Sequence, residues 1–472
     1  MRGARCGDGA AGATFVTVTM PLTLSRILHA GYVFECEGTT IVFDPIFENP
    51  FSRNCHAFPN VRFDHDAIRA TKFDAVFISH FHDDHCSLDS LDLIDRATPI
   101  HIYCLFPELF DMVRQLGFAD VRPLTVDVCV TVGAFEVIPR RALDADVDSM
   151  FQIRAAGVNV LNVVDAWIDP ACLPQLAAFA PWDMVLWPFQ TMREIDVLAP
   201  SRAMPAPATL PEEWFDQLKA LAPRYVVPSS CQFVQEPWSW YNHALFPITY
   251  RQFQREIEAA LPRAQVVRLN PSVSMTLGPG VLEPAAPLAW VLPVGEQDVD
   301  YRYDPTAAPP HTSVIATHFP ALTDEQFAHV LAWCKSGLPA RYRTMELPPD
   351  SYFEQARTWR LSIYDHAGAR RDFFYQIEGD TIESIDGAGA APAWTTEIPA
   401  CKIHTALELG ESLTSMYMRI NDAVFYAALE AELEADLDQA DIVDDPLIRC
   451  LFDDAFGAYQ AAQLRRINAR SS

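Results

Sequence analysis

The chain between residues 22 and 277 alternates short apolar runs of strand length with longer segments in which apolar residues recur every three or four positions. The apolar runs are rich in Val, Ile and Phe and indicate buried strands, predicted at 28–36, 40–45, 73–78 and 157–165. The intervening segments indicate amphipathic helices, predicted at 88–96, 107–116, 173–179, 212–221 and 250–260. Strands and helices in alternation predict sheets that are covered by helices.

Changes in composition predict where the domains begin and end. Residues 1–21 open with a Gly/Ala-rich stretch that lacks periodicity, and they indicate a flexible leader. Residues 279–310 are rich in proline and lose the periodic pattern, which is typical of a linker. We therefore predict one domain over residues 22–278 and a second over residues 311–472, as the length of the chain allows.

The predicted C-terminal domain has a mixed, α+β pattern. Its strands begin with a hairpin that turns near Gly368 and continue at 381–385 and 395–398. The helices of this domain are predicted at 324–336, 424–437 and 446–467. The pattern leaves its role open between packing or formation of a homo-oligomer and a cavity that carries a ligand.

The densest group of polar residues follows the predicted strand 73–78. The chain reads Ser-His-Phe-His-Asp-Asp-His from residue 79 to residue 85, with five potential metal ligands within six residues. Because alternate side chains of an extended segment point the same way, His80 and His82 are placed to hold one ion. Asp84 and His85, where the chain turns, are placed to hold a second. A polar loop with chance histidines is the alternative, but burial and mutual repulsion would oppose packing these groups without an ion.

This H-x-H-x-D-H motif at a strand end, preceded by a hairpin that closes on Asp44-Pro45, resembles the metallo-β-lactamase superfamily. The resemblance covers about residues 22–278 and implies an α/β fold, a four-layer αββα sandwich of two sheets between helices. It also implies two metal ions that share a water at the mouth of the sandwich. By the same resemblance, Asp165 at the end of strand 157–165 bridges the ions, and Asp84 orients the attacking water.

Two stretches depart from the pattern of the superfamily's hydrolases. Where a further histidine is expected before the bridging aspartate, the chain has Asp144, Asp146 and Asp148 and no histidine. Where a last histidine is expected after a late strand, the chain reads Ser-Ser-Cys at 229–231, and the nearest histidine is His243. We predict that Asp148 donates an oxygen, and that either His243 replaces the late histidine or nothing does. Oxygen-rich coordination would shift the preference from zinc towards iron or manganese.

Several segments resemble one group within the superfamily, the CMP-N-acetylneuraminate hydroxylases of the ascorbate-6-phosphate lactonase-like branch. These segments are 147–149, 161–165, 227–228 and 232–237. Members of that group are iron oxygenases that also carry a Rieske cluster, which requires two Cys and two His in paired motifs. The sequence contains no such pairs. An oxygenase built on this chain would therefore draw its electrons from a separate protein.

Charge and cysteine spacing exclude several classes of function. The formal net charge is −27, from 35 basic and 62 acidic residues, so an extended phosphate backbone would be repelled and nucleic acid is not expected as a partner. No stretch approaches the roughly 20 consecutive apolar residues of a membrane span. The eleven cysteines form no C-x-x-C pair, which indicates reduced thiols and a cytoplasmic protein.

Hydrolysis of a small-molecule substrate agrees best with these features. We predict that one or two divalent ions, zinc or iron with manganese as the alternative, activate a water that attacks an ester, lactone, amide or phosphodiester-type substrate. An iron-dependent oxygenase or oxidase is the second hypothesis, because carboxylates replace an imidazole, and a metal-stabilised ligand-binding protein is the third. The predicted metal ligands are His80, His82, Asp84, His85, Asp148, Asp165 and His243, and Asp84 is also the predicted catalytic residue.

Overall fold

The structure, a computed structural model, describes residues 21–346, 351–387, 391–421, 444–453 and 456–471. The predicted leader up to residue 20 and the predicted helix 424–437 lie outside these ranges. The strands are β1 (Leu22–Arg26), β2 (Tyr32–Cys36), β3 (Thr39–Phe43), β4 (His56–Ala57), β5 (Val61–Phe63), β6 (Ala75–Ile78), β7 (Ile100–Ile102), β8 (Val121–Pro123), β9 (Val130–Val132), β10 (Phe135–Arg141), β11 (Ser149–Ala155), β12 (Val158–Asn162), β13 (Met184–Pro188), β14 (Tyr225–Ser229), β15 (Phe233–Val234), β16 (Gln265–Val266), β17 (Ser274–Gly278), β18 (Val281–Ala285), β19 (Val291–Pro293), β20 (Arg357–Tyr364), β21 (Arg370–Glu378), β22 (Thr381–Ile385), β23 (Trp394–Pro399) and β24 (Arg419–Ile420).

The helices are α1 (His65–Ala70), α2 (Leu88–Leu91), α3 (Pro107–Gln115), α4 (Leu173–Ala177), α5 (Glu194–Leu198), α6 (Glu212–Leu221), α7 (Tyr241–Ala244), α8 (Tyr250–Ala260), α9 (Thr312–Ala316), α10 (Asp324–Ala332), α11 (Leu338–Tyr342) and α12 (Ala400–Leu409). A π-helical turn, Trp333–Gly337, joins α10 to α11. Two further helices follow near the end of the chain, Pro446–Phe452 and Ala458–Ser471, and the second is called the C-terminal helix below.

Two large sheets form the centre of the fold. The first has eight strands in the order β18-β17-β1-β2-β3-β6-β7-β8, and the second has seven in the order β16-β14-β13-β12-β11-β10-β9. Their facing sides are joined by one apolar cluster, in which the rings of Phe43 and Phe77 from the first sheet lie 5.0 and 6.2 Å from the ring of Phe151 in the second. Burial of these alternating apolar positions holds the sheets together.

Helices cover the outer faces because parallel strands require crossover connections. Strands β6, β7 and β8 pair in parallel and are connected through α2 and α3, while β12, β13, β14 and β16 pair in parallel and are connected through α4, α6 and α8. The result is the predicted four-layer αββα sandwich. The loops after β6 and β12 and the turn before β11 carry most of the predicted metal ligands.

The structure also corrects details of the predicted elements. Helix α2 ends at Leu91 rather than at residue 96, because the Arg96 guanidinium donates to the carbonyl oxygens of Leu91 and Ile94 in an irregular turn. The proline-rich segment 279–310 is not a detached connection. It contributes β18 to the first sheet through pairing with β17, and β19 pairs with β5.

The C-terminal region contains a separate five-stranded sheet in the order β22-β21-β20-β23-β24. Strands β20 and β21 form the predicted hairpin, with Gly368 at a φ of +77° in its turn. Where one helix was predicted over 446–467, the structure has two, and Gly457 between them adopts a left-handed φ of +68°. The helix Pro446–Phe452 is joined to the sheet through Asp445 at its N-cap.

We expect Asp445→Ala to lower the free energy of unfolding by about 2–4 kcal/mol, because two helix N–H groups and an indole N–H lose a buried acceptor. The Asp445 carboxylate accepts from the backbone N–H groups of Leu447 and Ile448 at 2.9 and 3.1 Å and from Trp394 Nε1 at 2.7 Å. Asp445→Asn keeps a capping oxygen and should cost less. Urea unfolding measures both, and equal losses would contradict the capping role.

Candidate metal centre

Six of the seven predicted ligands come together from three connections of the sandwich. His80, His82, Asp84 and His85 lie in the loop after β6, Asp165 follows β12, and Asp148 directly precedes β11. Within the loop after β6, the backbone N–H groups of His85 and Cys86 donate to the carbonyl oxygen of His82 at 3.0 and 2.8 Å. This turn reverses the chain. His80 and His82 can therefore face one candidate metal position, and Asp84 and His85 can face a second position beside it.

One group of potential ligands consists of Asp84, His85 and Asp165 together with His29. Their donor atoms all lie within 4.8 Å of one another. His85 Nε2 is 3.0 Å from Asp165 Oδ2 and 3.1 Å from His29 Nε2, and His29 Nε2 is 3.1 Å from Asp84 Oδ2. Two imidazole nitrogens and two carboxylates that converge in this way are a donor set typical of zinc or iron.

A second group consists of His80, His82 and Asp84, again with donor atoms within 4.8 Å of one another. His80 Nε2 lies 3.0 Å from His82 Nδ1. Asp148 Oδ1 lies 3.7 Å from His80 Nδ1 and has no hydrogen-bond partner, although it is buried. Asp84 belongs to both groups, and this shared carboxylate places the two candidate metal positions side by side.

Buried partners orient the histidines of the motif. The Asp44 carboxylate accepts from the Ser79 backbone N–H and hydroxyl at 2.8 Å and lies 3.1 Å from His85 Nδ1. A proton on His85 Nδ1 donates to Asp44, which leaves the lone pair of Nε2 towards the ligand group. The Ser79 hydroxyl also lies 2.9 Å from His80 Nδ1. Asp44 is fully buried at the end of β3.

The electrostatics of the site favour a cation. Burial, followed by the nearby Asp165, raises the pKa of Asp148 to about 7. Burial lowers the pKa of His80 well below its ordinary value, and His85 and His82 add to the shift, so His80 is neutral and able to bind a metal at neutral pH. For Asp84, burial alone would raise the pKa, but His85 and His29 outweigh it and the pKa falls. The unpartnered Asp148 oxygen and the converging nitrogens fit divalent ions.

His29 is the functional candidate that the sequence did not identify as a ligand. It lies in the connection between β1 and β2 and adopts a left-handed φ of +49°. The buried Arg26 holds this connection by donating to the His29 carbonyl oxygen and to Pro228 O. A single histidine in a hairpin has no second potential ligand at a characteristic spacing, so the sequence does not mark it as a ligand. Its contact with His85, 56 positions away, shows that it joins the site.

Other predicted ligands lie elsewhere. His243, in α7, is exposed and belongs to neither group, and its Nδ1 lies 3.1 Å from the carbonyl oxygen of Arg302. The structure therefore does not bring His243 to the ligand groups, and His29 is the additional imidazole that it does bring there. Asp144 and Asp146 are exposed, and the Asp144 carboxylate accepts from the backbone N–H of Asp146. Of the three carboxylates in that stretch, Asp148 is the one that reaches the site.

A pocket of about 760 Å³ opens over both groups, and the C-terminal region forms much of its wall. Its lining includes Glu411, Thr414, Phe456 and Tyr459 from this region. Gln460 of the C-terminal helix is buried, and its amide donates to the carbonyl oxygens of Phe81 and Cys86 at 2.8 and 2.9 Å. These two carbonyls flank His82 to His85, so the helix braces the loop that carries the ligands.

Comparison with known proteins agrees with this fold. The family profile described as Beta-lactamase superfamily domain matches residues 23–230, which is less than half of the chain. Together with the topology, this match identifies a metallo-β-lactamase fold followed by an additional region of sheet and helices. No curated protein sequence matches the chain.

Three solved structures illustrate the likeness. Igni18, a metallo hydrolase from Ignicoccus hospitalis, is 19% identical with a TM-score of 0.39, covering 54% of this chain and 98% of its own. CmlA, a diiron β-hydroxylase from Streptomyces venezuelae, is 17% identical with a TM-score of 0.38. The match covers 55% of this chain and 54% of the CmlA chain. An isothiocyanate hydrolase from Delia radicum gut bacteria is 15% identical with a TM-score of 0.39. The match covers 54% of this chain and 99% of the hydrolase chain. Similarity at this level does not bear on activity.

The described residues include neither a membrane-spanning helix nor a disulfide bond. Among the residues that the structure describes, no helix is long and apolar enough to cross a membrane. The described cysteines form no disulfide.

We expect His29→Ala to lower the bound metal by about one ion per chain, because one of the two groups loses an imidazole donor. His243→Ala is the matched control and should keep the full amount of metal. Elemental analysis of the folded variants measures both. Unchanged metal in His29→Ala, or a loss in His243→Ala, would contradict the assignment of these two histidines.

We expect Gln460→Met to weaken metal binding about tenfold, because a thioether of similar size cannot donate to the two loop carbonyls. Gln463→Met is the control, since Gln463 is also buried in the C-terminal helix but donates to the side chains of Ser87 and Asp89. Titration of metal-depleted protein with zinc gives the affinities. Equal effects of the two substitutions would contradict a specific role of Gln460.

Proposed function

We propose that this protein is a metal-dependent hydrolase of a small ester, lactone, amide or phosphodiester-type substrate. The observation that carries the proposal is the sharing of Asp84 by two adjacent ligand groups that open into one pocket. His80 and His82 would hold one divalent ion, and His29, His85 and Asp165 the other. Bound divalent ions would supply a water with a pKa near 7 and polarise the substrate carbonyl or phosphoryl oxygen.

The residues of the chain contribute position and proton transfer. Asp84 belongs to both ligand groups, so it would lie between the two ions and would orient the attacking water and accept its proton. Asp148 lines the same pocket, and its unpartnered oxygen beside His80 would serve as an oxygen donor to the ion held by His80 and His82. Asp44 keeps His85 in one tautomer and one orientation.

An iron-dependent oxygenase is the alternative that the donor set favours, because four imidazoles with carboxylates suit iron as well as zinc. Its electrons would have to come from a separate protein, since the chain has no paired Cys and His motifs for a Rieske cluster. The third hypothesis, a ligand-binding C-terminal region, has weaker support. A cavity there, lined by residues such as Phe327 and Tyr364, has about 170 Å³, below the roughly 300 Å³ at which ligand pockets begin.

Metal analysis and spectroscopy distinguish the two enzymes. Protein from cells grown with both iron and zinc is analysed for metal content and assayed against esters, lactones, amides and phosphodiesters. We expect hydrolysis of at least one class that is lost on chelation and restored by zinc. A stoichiometric diiron signal in electron paramagnetic resonance that responds to reductant and oxygen, without hydrolysis, would establish the oxygenase instead.

We expect Asp165→Ala to reduce hydrolysis by about a thousandfold or more and to lower the bound metal, because the group of His29 and His85 loses its closest carboxylate. Asp146→Ala removes an exposed carboxylate that belongs to neither group and should leave both quantities unchanged. Circular dichroism checks that both variants fold. Wild-type activity and metal content in Asp165→Ala would refute the proposed site.

A further inference from the structure

The pocket over the ligand groups has one aromatic wall. Phe81, from the ligand loop, lies with its ring centroid 4.7 Å from that of Phe456, and Phe106 lies 4.2 Å from Phe456. Phe106 is 41% exposed, so this cluster presents apolar surface to whatever enters the pocket. A substrate with an aromatic or branched apolar portion would remove this surface from water.

Acidic side chains that belong to neither ligand group also line the pocket. Glu194 accepts from the Thr414 hydroxyl, and among the described residues no Lys or Arg pairs with it. Burial raises the pKa of Glu194, as expected for a carboxylate without a cation. Glu411 lines the same pocket with its side chain only 2% exposed, and Asp83 is a third carboxylate in the lining.

Two of these acids have buried oxygens without a partner. Glu411 Oε1 lies 3.3 Å from Lys402 Nζ, but Glu411 Oε2 has no hydrogen-bond partner, and the same is true of Asp83 Oδ2. An unpartnered buried carboxylate oxygen costs free energy. Both oxygens lie beneath the pocket surface, where a cation in the pocket would lower this cost by attraction through space.

Lys402, which pairs with Glu411, is not among the residues that line the pocket. Among the described residues that line it, none is Lys or Arg. Arg53 lies nearby, but its guanidinium donates to the carbonyl oxygens of Leu409 and Gly410 and stands over the Tyr459 ring. An anionic group at this wall would be desolvated beside like charges, whereas an ammonium group would be attracted and would donate hydrogen bonds.

We propose that the pocket selects substrates that carry a protonated amine next to an apolar or aromatic portion, with the ammonium group at Glu194 and Glu411 and the apolar portion on Phe81, Phe106 and Phe456. This inference rests on the proposed function, since the hydrolysable bond would lie at the ligand groups between these walls. Within the classes of substrate named above, it favours amine-bearing esters, lactones and amides over phosphate-bearing compounds. The sandwich and the C-terminal region would set this specificity together, through Glu194 from one and Glu411 from the other.

Matched substrates test the selection. Phenyl esters of 4-(aminomethyl)phenylacetic, 4-ethylphenylacetic and 4-carboxyphenylacetic acid place an ammonium group, a neutral group or a carboxylate on one framework. We expect kcat/KM for the amine to exceed that of the neutral ester about tenfold, and the carboxylate to be the poorest substrate. Glu194→Gln can still accept from Thr414 and should fold, and it should lower the ratio of amine to neutral ester about fivefold.

Glu383→Gln, an exposed position on β22, makes the same change in net charge away from the pocket and should leave the ratio unchanged. Glu194→Asp retains the charge and should retain part of the preference. An equal kcat/KM for the amine and the neutral ester in the wild-type protein, or equal effects of Glu194→Gln and Glu383→Gln, would overturn the inference.

A binding measurement separates this inference from the proposed function. Calorimetry with 4-ethylbenzylamine and with 4-ethylbenzoate on metal-loaded protein requires no turnover. We expect the amine to bind at least tenfold more tightly than the benzoate and Glu194→Gln to lose most of this difference. Amine-selective binding without hydrolysis of any ester would contradict the hydrolase proposal alone, whereas hydrolysis without amine selectivity would contradict the inference alone.

Discussion

The mutual compensation of buried charges at one edge of the sandwich is the interaction on which the rest of the structure depends. His29, His80 and His85 are almost fully buried, and they face the carboxylates of Asp84, Asp148 and Asp165 within a few ångströms. Such a group is costly unless each charge has a partner. Divalent ions would satisfy the unpartnered oxygen of Asp148 and the converging nitrogens together, and would so explain why so many ionisable groups are tolerated in so small a volume.

This edge is built by two parts of the chain that are far apart in sequence. The sandwich supplies the ligands from the ends of its strands, where loops can place side chains without disturbing the core. The C-terminal helix braces the ligand loop through Gln460, and residues near Glu411 and Phe456 close the pocket. The additional region is therefore part of the pocket itself, whose lining comes from both parts of the chain.

The sequence predicted the fold well because its signals are local. The strand periodicity of β2 and β3, the apolar run that becomes β6 and the parallel strands with their crossover helices each depend on neighbouring residues. The sequence was less informative where long-range contacts decide. Nothing near His29 marks it as a ligand, His243 followed the late strand yet turned to Arg302, and Asp144 and Asp146 remained in solvent.

The sequence by itself therefore determined that sheets are covered by helices, and its resemblance to the superfamily implied the αββα sandwich. It also placed His80, His82, Asp84 and His85 in one loop, because they are close in sequence and follow a strand end. Tertiary structure alone decided that His29 joins Asp84, His85 and Asp165, and that the C-terminal region forms the pocket wall. Those contacts join residues tens to hundreds of positions apart. They follow from how the sheets and the C-terminal region pack, and no local pattern encodes that packing.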